Sequence, residues 1–173
     1  MTPQEIRAFV KDVPDFPKPG IIFKDITPLL AEPRAFRATI DALAQRLGPL
    51  HADGLLAIES RGFIFGGALA AELRLPLQLV RKRGKLPRQA ISVRYELEYG
   101  FDHLEVHADA IEANGRYLIV DDVIATGGTA AAVADLVEQR QGTVAACAFV
   151  IELEFLGGRR KLEGHDIVSL ITY

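Results

Sequence analysis

The chain has 173 residues, 49% of them hydrophobic, and a formal net charge of −3. That length fits one domain with a sizeable core, and the charge excludes a general nucleic-acid face. No segment approaches the roughly 18 to 20 uninterrupted apolar residues that a membrane-spanning helix needs.

In chain order, the first forty or so residues contain "DFPKPGIIFKDITPLL", whose prolines interrupt any regular period, so about residues 1–33 are expected to form a small cap. The start, "MTPQEIRAFV", has no positive head before an apolar stretch and does not read as an export signal. "EPRAFRATIDALAQRLG" sets Phe36, Ile40, Leu43 and Leu47 on one helical face and ends at Gly48, and "GLLAIES" suits a strand buried on both faces. "FIFGGALAAELR" reads as a helix and "PLQLV" as a strand, while "ISVRYELEYGFDHLEVHAD" looks like a long hairpin or a flexible lid. "RYLIV" is the next strand, "GTAAAVADLVEQRQG" a helix ended by Gly142, and "VAACAFVIEL" and "HDIVSLITY" the last two strands. The alternation predicts an α/β fold, one domain over residues 1–173, with a mainly parallel twisted sheet flanked by helices. A single cysteine, Cys147, falls inside a strand pattern; it reads as a buried hydrophobe in a cytoplasmic protein.

In an open α/β sheet, ligands bind beyond the carboxyl ends of the strands. The stretch "VDDVIATGGTAAA", from Val120, begins there. Ala125, Thr126, Gly127, Gly128 and Thr129 form a turn whose N–H groups and hydroxyls can converge on a phosphate at the start of a helix. A carboxylate repels a phosphate but accepts hydrogen bonds from sugar hydroxyls, so Asp121 and Asp122 suit a ribose attached to it. In "ESRG", Arg61 can fork onto phosphate oxygens while the amides of Ser60 to Gly62 add neutral donors. The tract "RKRGKLPRQ" is dense in cations and reads, on its own, as a solvated mobile loop or, more weakly, a nucleic-acid patch. His103 and His107 stand four apart in a segment that alternates like a strand, and no third ligand has the spacing for a structural zinc.

The Val120 stretch resembles the ribose 5-phosphate signature of the type I phosphoribosyltransferases. "FPKPGIIFKDITPLL", "ESRGFIFG", and "RKRGKLP" through "YELEYG" follow in family order and narrow the resemblance to the branch of that family that uses adenine. The resemblance implies transfer of the phosphoribosyl group from phosphoribosyl pyrophosphate to adenine, giving AMP and pyrophosphate, with Mg2+ required. It also implies that Asp121 and Asp122 hold the ribose hydroxyls directly or through water and magnesium. Lys82 and Lys85 match pyrophosphate-binding lysines. Arg81 matches an arginine that reaches the neighbouring subunit's site, which implies a homodimer. Glu98 would exchange a proton with the adenine imidazole nitrogens, and Tyr99 would orient the ribose or leaving group. The main chain around Ile21 and Ile22 would read the base, with Phe23 on the purine face. Members of the family often carry a non-proline cis peptide that would here join Glu59 to Ser60. Two departures stand out: many relatives have arginine where this chain has Lys24, which lacks the planar fork, and Arg88 stands where glycine is common. Two other readings stay open, a sister transferase for hypoxanthine or xanthine and a phosphoribosyl pyrophosphate-sensing regulator. The regulator would want a helix-turn-helix segment that the sequence does not display.

Overall fold

The computed structural model describes residues 1–96 and 101–173. Residues 1–33 supply α1 (Pro3–Arg7), β1 (Lys11–Pro14), β2 (Ile22–Asp25) and α2 (Thr27–Ala31). They lead into α3 (Pro33–Leu47), β3 (Gly54–Ile58), α4 (Gly62–Leu73) and β4 (Leu77–Lys82). The remainder comprises β5 (Ala90–Glu96), β6 (Phe101–His107), β7 (Arg116–Ile124), α5 (Gly128–Gln139), β8 (Thr143–Glu152) and β9 (Ile167–Thr172). Seven strands form one sheet in the order β5-β6-β4-β3-β7-β8-β9, in which β4, β3, β7, β8 and β9 pair in parallel and β6 joins β4 antiparallel. Strands β1 and β2 form a separate antiparallel pair.

The apolar runs explain why the sheet is covered on both faces. Alternate residues of a strand point opposite ways, so the uninterrupted run in β3 sends Leu55 and Ala57 to one face and Leu56 and Ile58 to the other. Leu43 of α3 and Phe65 of α4 fill the first face, and Val133 and Val137 of α5 fill the second. Each fully buried Leu, Ile or Val contributes roughly 1.5 to 3 kcal/mol relative to an exposed one. The N-terminal segment shares this core: Ile6, Val10, Ile26 and Leu29 are buried in the same cluster as Leu43 and Phe65. Cys147 is fully buried, and desolvation pushes its thiol up to about 12, which leaves it protonated and inert at neutral pH.

Three expected boundaries move. The strand begun by "RYLIV" continues to Ile124, because Val123 and Ile124 keep pairing with Ile151 and Glu152 of β8, so both acids lie inside β7 and not beyond its end. Helix α5 stops at Gln139, before Gly142; Gln141 takes the left-handed turn at φ 61°. Gly142 has another constraint, since a Cβ there would stand 3.0 Å from Val137 Cγ1. The expected lid is only partly free of the sheet: β5 and β6 pair from Ala90 opposite His107 to Glu96 opposite Phe101, and Val93, Leu104 and Val106 are buried.

Candidate active site

Strands β3, β7 and β8 run in parallel, so the segments that follow them emerge at one edge of the sheet. The Glu59–Ser60 peptide after β3 is cis. Glu59 Oε2 accepts from the Lys82 N–H at 2.8 Å and from Arg81 Nε at 3.2 Å, which ties this loop to the end of β4. Gly62 opens α4 against β7: a Cβ there would lie 2.8 Å from Asp121 Oδ1 and 3.0 Å from the Val120 carbonyl. Only glycine lets the loop carrying Ser60 and Arg61 come this close to the acids. Arg61 Nε then donates to Asp122 Oδ2, and its guanidinium lies 5.1 Å from the Phe23 ring centre.

The two acids have different surroundings. The Asp122 side chain is 6% exposed and takes the Arg61 ion pair. Asp121 Oδ1 accepts from the Asp122 N–H at 2.8 Å. Burial pushes the Asp121 carboxyl well above the usual carboxylate range, and the neighbouring Asp122 charge adds to the shift. A buried acid of this kind gains when a cationic centre approaches it.

Beyond β7, Ala125 to Thr129 turn into α5. Gly127 takes φ 76° and a Cβ on it would meet the Gly158 carbonyl oxygen at 2.3 Å. Reciprocally, a Cβ on Gly158 would meet the Ala125 carbonyl oxygen at 2.4 Å. The turn is therefore interlocked with the loop after β8. A cradle of about 90 Å³ is lined by Asp121, Ala125, Thr126, Gly127, Gly128 and Thr129, among others. It shares Asp121 and Ala125 with a hollow of about 350 Å³ bounded by Glu59, Ser60, Arg61 and Asp122. On its other side it shares Thr126, Gly128 and Thr129 with a cavity of about 840 Å³ that Ile21, Ile22 and Lys24 also line. The arrangement offers donors for a phosphate in the middle, two carboxylates and a guanidinium on one flank, and an apolar-walled space on the other.

The structure thus brings together Ser60, Arg61, Gly62, Asp121, Asp122 and Ala125 to Thr129, and sets Ile21, Ile22 and Lys24 across the large cavity. The cationic tract is a tied turn: Gly84 has φ 77°, Arg81 Nη1 donates to the Lys85 carbonyl at 3.1 Å, and Lys82 Nζ pairs with Asp102 at 3.3 Å. The Asp102 hydrogen bond raises the Lys82 pKa and keeps the amine charged. Arg88 pairs with Asp109 at 2.7 Å with both side chains exposed, a contact of little energetic weight. Phe23 is not among the residues lining the cavity. It turns from Ile22 and Lys24 as the strand alternates, and stands edge-on to Phe16 at 5.1 Å between ring centres. Lys24 is held by Asp12 at 2.6 Å and lies 3.8 Å from the centre of the Tyr173 ring. Glu98 and Tyr99 lie outside the described residues.

Sequence reasoning missed Tyr95, Leu153, Phe155, Leu156 and Lys161, all of which line the large cavity. The rule that located Asp121 would have found four of them, because "LEFLGGRRK" follows β8 at the same carboxyl edge of the sheet at which β7 carries the acids near its end.

Replacing both acids by asparagine should lower turnover by at least about tenfold, equal to roughly 1.4 kcal/mol of transition-state stabilisation. The fold should persist although the acids sit within β7, because the amide has nearly the same shape. The raised pKa of Asp121 sets the sign of the stability effect. Its contribution is present below the unfolded-state pKa and is lost as pH rises through the higher folded-state value, so removing the charge should relieve that loss at neutral pH. Thermal unfolding and steady-state rates check both statements, and full turnover in the folded double variant would refute the assigned role.

Residues 25–169 match the family model described as the phosphoribosyl transferase domain. An adenine phosphoribosyltransferase of Rubrobacter xylanophilus is 55% identical over 173 residues, covering 99% of this chain and 94% of that protein. The crystal structure of adenine phosphoribosyltransferase from Thermoanaerobacter pseudethanolicus superposes with a TM-score of 0.96 at 50% identity, covering 99% of this chain and 100% of that one. The Saccharomyces cerevisiae adenine phosphoribosyltransferase, solved with adenine and an imino-altritol bisphosphate, matches at TM-score 0.92 and 41% identity, with 97% of each chain covered.

Proposed function

The chain belongs to the phosphoribosyl transferase domain family and, within it, to the adenine phosphoribosyltransferases, and from that membership we propose how its three joined cavities share the reaction. The enzyme transfers the phosphoribosyl group of phosphoribosyl pyrophosphate to adenine, yielding AMP and pyrophosphate. One catalytic unit spans residues 1–173, with about residues 1–33 as its cap. The observation that carries the assignment of places is the pair of shared walls: the cradle borders the carboxylate hollow through Asp121 and Ala125 and the apolar cavity through Thr126, Gly128 and Thr129.

In this reading the 5-phosphate rests on the N–H groups and hydroxyls of Ala125 to Thr129 at the start of α5, where the helix dipole favours an anion. The ribose then lies over Asp121 and Asp122. Pyrophosphate falls beside Arg61, the amides of Ser60 to Gly62, and Lys82 and Lys85. Adenine enters the large cavity, where Ile21, Ile22, Leu153, Phe155 and Leu156 offer apolar walls to the ring. As the bond from ribose C1 to the pyrophosphate oxygen breaks and the bond from adenine N9 to C1 forms, positive charge builds on the sugar. Asp121 and Asp122 stabilise it, and Arg61 takes up negative charge on the leaving group. Glu98 receives the proton that N9 gives up, and the β5–β6 hairpin closes over both substrates as a lid.

Magnesium fits this donor set as an ion held mainly by the substrate. Two adjacent carboxylates face the hollow, and a magnesium ion is commonly bound through one or two carboxylates together with substrate phosphates. Asp121 and Asp122 would approach the ion, which supplies charge neutralisation on the pyrophosphate. Among the described residues no helix is long and apolar enough to cross a membrane. The buried Cys147 thiol supports a cytoplasmic location. A spectrophotometric screen of purine and pyrimidine bases with phosphoribosyl pyrophosphate and magnesium tests the assignment: turnover with adenine is expected, and turnover only with another base would overturn it.

The working unit in this reading is a homodimer. Leu77, Leu79 and Arg81 share one face of β4, and Leu77, Leu79 and the α4 residue Ile64 are 37%, 38% and 41% exposed, apolar groups that a second copy could cover. If Arg81 completes the neighbouring site, light scattering should report a dimer at working concentration. An active monomer would contradict this.

A further inference from the structure

We propose that Arg159 is a positioning residue for both the base cavity and the phosphate cradle, acting through its forked contact with Glu152. The proposal rests on the substrate placement given above. Strand β8 ends at Glu152, whose side chain is 4% exposed. Its carboxylate is fully engaged: Arg159 Nε donates to Oε1, Arg159 Nη2 donates to Oε2 at 2.7 Å, and Ser169 Oγ on β9 donates to Oε2 at 2.5 Å. Arg159 Nη2 also donates to Ser169 Oγ at 3.1 Å. A planar guanidinium held on two oxygens fixes direction as well as distance, which a lysine cannot do.

Between these anchors the chain makes a short loop that serves two cavities at once. Leu153, Phe155 and Leu156 line the large cavity, and Gly158 presses its carbonyl against Gly127 in the phosphate cradle. Burial of its own side chains does not hold the loop's tip, since Phe155 is 74% exposed and Leu156 43%. Leu162, buried, secures the far end, and Leu153 N–H donates to the Ile124 carbonyl at 3.0 Å at the near end. Between them Glu154 N–H donates to the Tyr173 carbonyl at 3.0 Å and Gly157 N–H to the Glu154 carbonyl at 2.9 Å, and the fork, one residue beyond Gly158, is the side-chain anchor that ties the loop to β8 and β9. A shift of Gly158 would move the cradle's amides and the cavity's apolar wall together, so the affinities for phosphoribosyl pyrophosphate and for adenine are coupled through one ion pair. Loss of Arg159 would also leave Glu152 as a buried unpaired charge.

The test compares folded Arg159→Met, Arg159→Lys, Ser169→Ala and Gly158→Ala variants with the parent in steady-state AMP formation, alongside thermal unfolding. Arg159→Met should raise the KM for adenine and the KM for phosphoribosyl pyrophosphate together, each on the order of tenfold, because small misplacements of binding groups are amplified in rate and affinity. Arg159→Lys should fall between it and the parent. Gly158→Ala keeps the fork but forces a Cβ within 2.4 Å of the Ala125 oxygen, and should reproduce the joint rise. A folded Arg159→Met protein with a lowered Tm and both KM values unchanged would reduce the fork to a stability element and overturn the proposal, as would a change in one KM alone. Should that variant fail to fold, unchanged KM values in both Ser169→Ala and Gly158→Ala would overturn it equally. Absence of adenine-dependent AMP formation by the parent would remove the underlying placement and this inference with it, whereas an active parent with unmoved variants removes this inference alone.

Discussion

Offered adenine, hypoxanthine and guanine at equal concentration, the protein should incorporate adenine in preference by about 10⁴ or more, the range reached by sites that read hydrogen-bond polarity. Adenine presents a donating amino group at C6 beside an accepting N1. The 6-oxo purines present an accepting oxygen beside a donating N1–H, so the same main-chain groups would meet them acceptor to acceptor and leave buried polar atoms unpaired. The structure sharpens which groups can do this. The Ile21 N–H already donates to the Lys18 carbonyl and the Ile21 carbonyl accepts from Phe16 N–H, both at 3.3 Å, so the Ile21 amide is not a free donor. Pro14, opposite Ile22 in the β1–β2 ladder, has no N–H to give the Ile22 carbonyl. If main chain does the reading, Ile21→Val should preserve the preference. Lys24→Arg should change affinity more than choice, since Lys24 lines the cavity while held by Asp12 and Tyr173. Comparable incorporation of hypoxanthine or guanine would overturn the polarity argument while leaving phosphoribosyl transfer standing.

The second large effect is expected at Glu98. Glu98→Gln should lower the maximal rate by about 10² or more, the usual contribution of a positioned general acid or base, with phosphoribosyl pyrophosphate binding nearly intact. Glutamine keeps the length of the side chain and its ability to hydrogen-bond but cannot accept a proton from N9. Single-turnover rates together with calorimetric titration of phosphoribosyl pyrophosphate separate the two terms. A variant in which binding weakens and the chemical step does not slow would move the proton-handling role to another group.

The sheet was legible because buried parallel strands are written as continuous apolar runs, as in Gly54–Ile58 and in "VAACAFVIEL", and the helices between them carry a 3.6-residue period. The turn of Ala125 to Thr129 into α5 was legible for a local reason: glycines and threonines follow directly on the paired acids and precede a helical pattern. Contacts between distant segments were not. Nothing in the residues around Gly127 announces that Gly158 will sit against it, or that Gly62 must lack a side chain because Asp121 stands behind it. The aromatic lining the large cavity went the same way. Phe23 belongs to a recognisable motif, but the alternation of β2 turns it toward Phe16, and Phe155 arrives from a loop about 130 residues later. The extent of β7 was misjudged because aspartate is a poor strand former on its own. Pairing with β8 on one side and the Arg61 contact on the other keep Asp121 and Asp122 in register.

The most direct test of the account is the product balance of the reaction itself. The purified protein, incubated with adenine, phosphoribosyl pyrophosphate and magnesium, should form AMP and pyrophosphate in a one-to-one ratio by chromatography. The folded protein with asparagine at positions 121 and 122 should form both at least about tenfold more slowly, in the same ratio. Pyrophosphate released without AMP, or AMP formed at the parental rate by the folded double variant, would contradict the claim that these acids and the adjoining cradle carry the transfer.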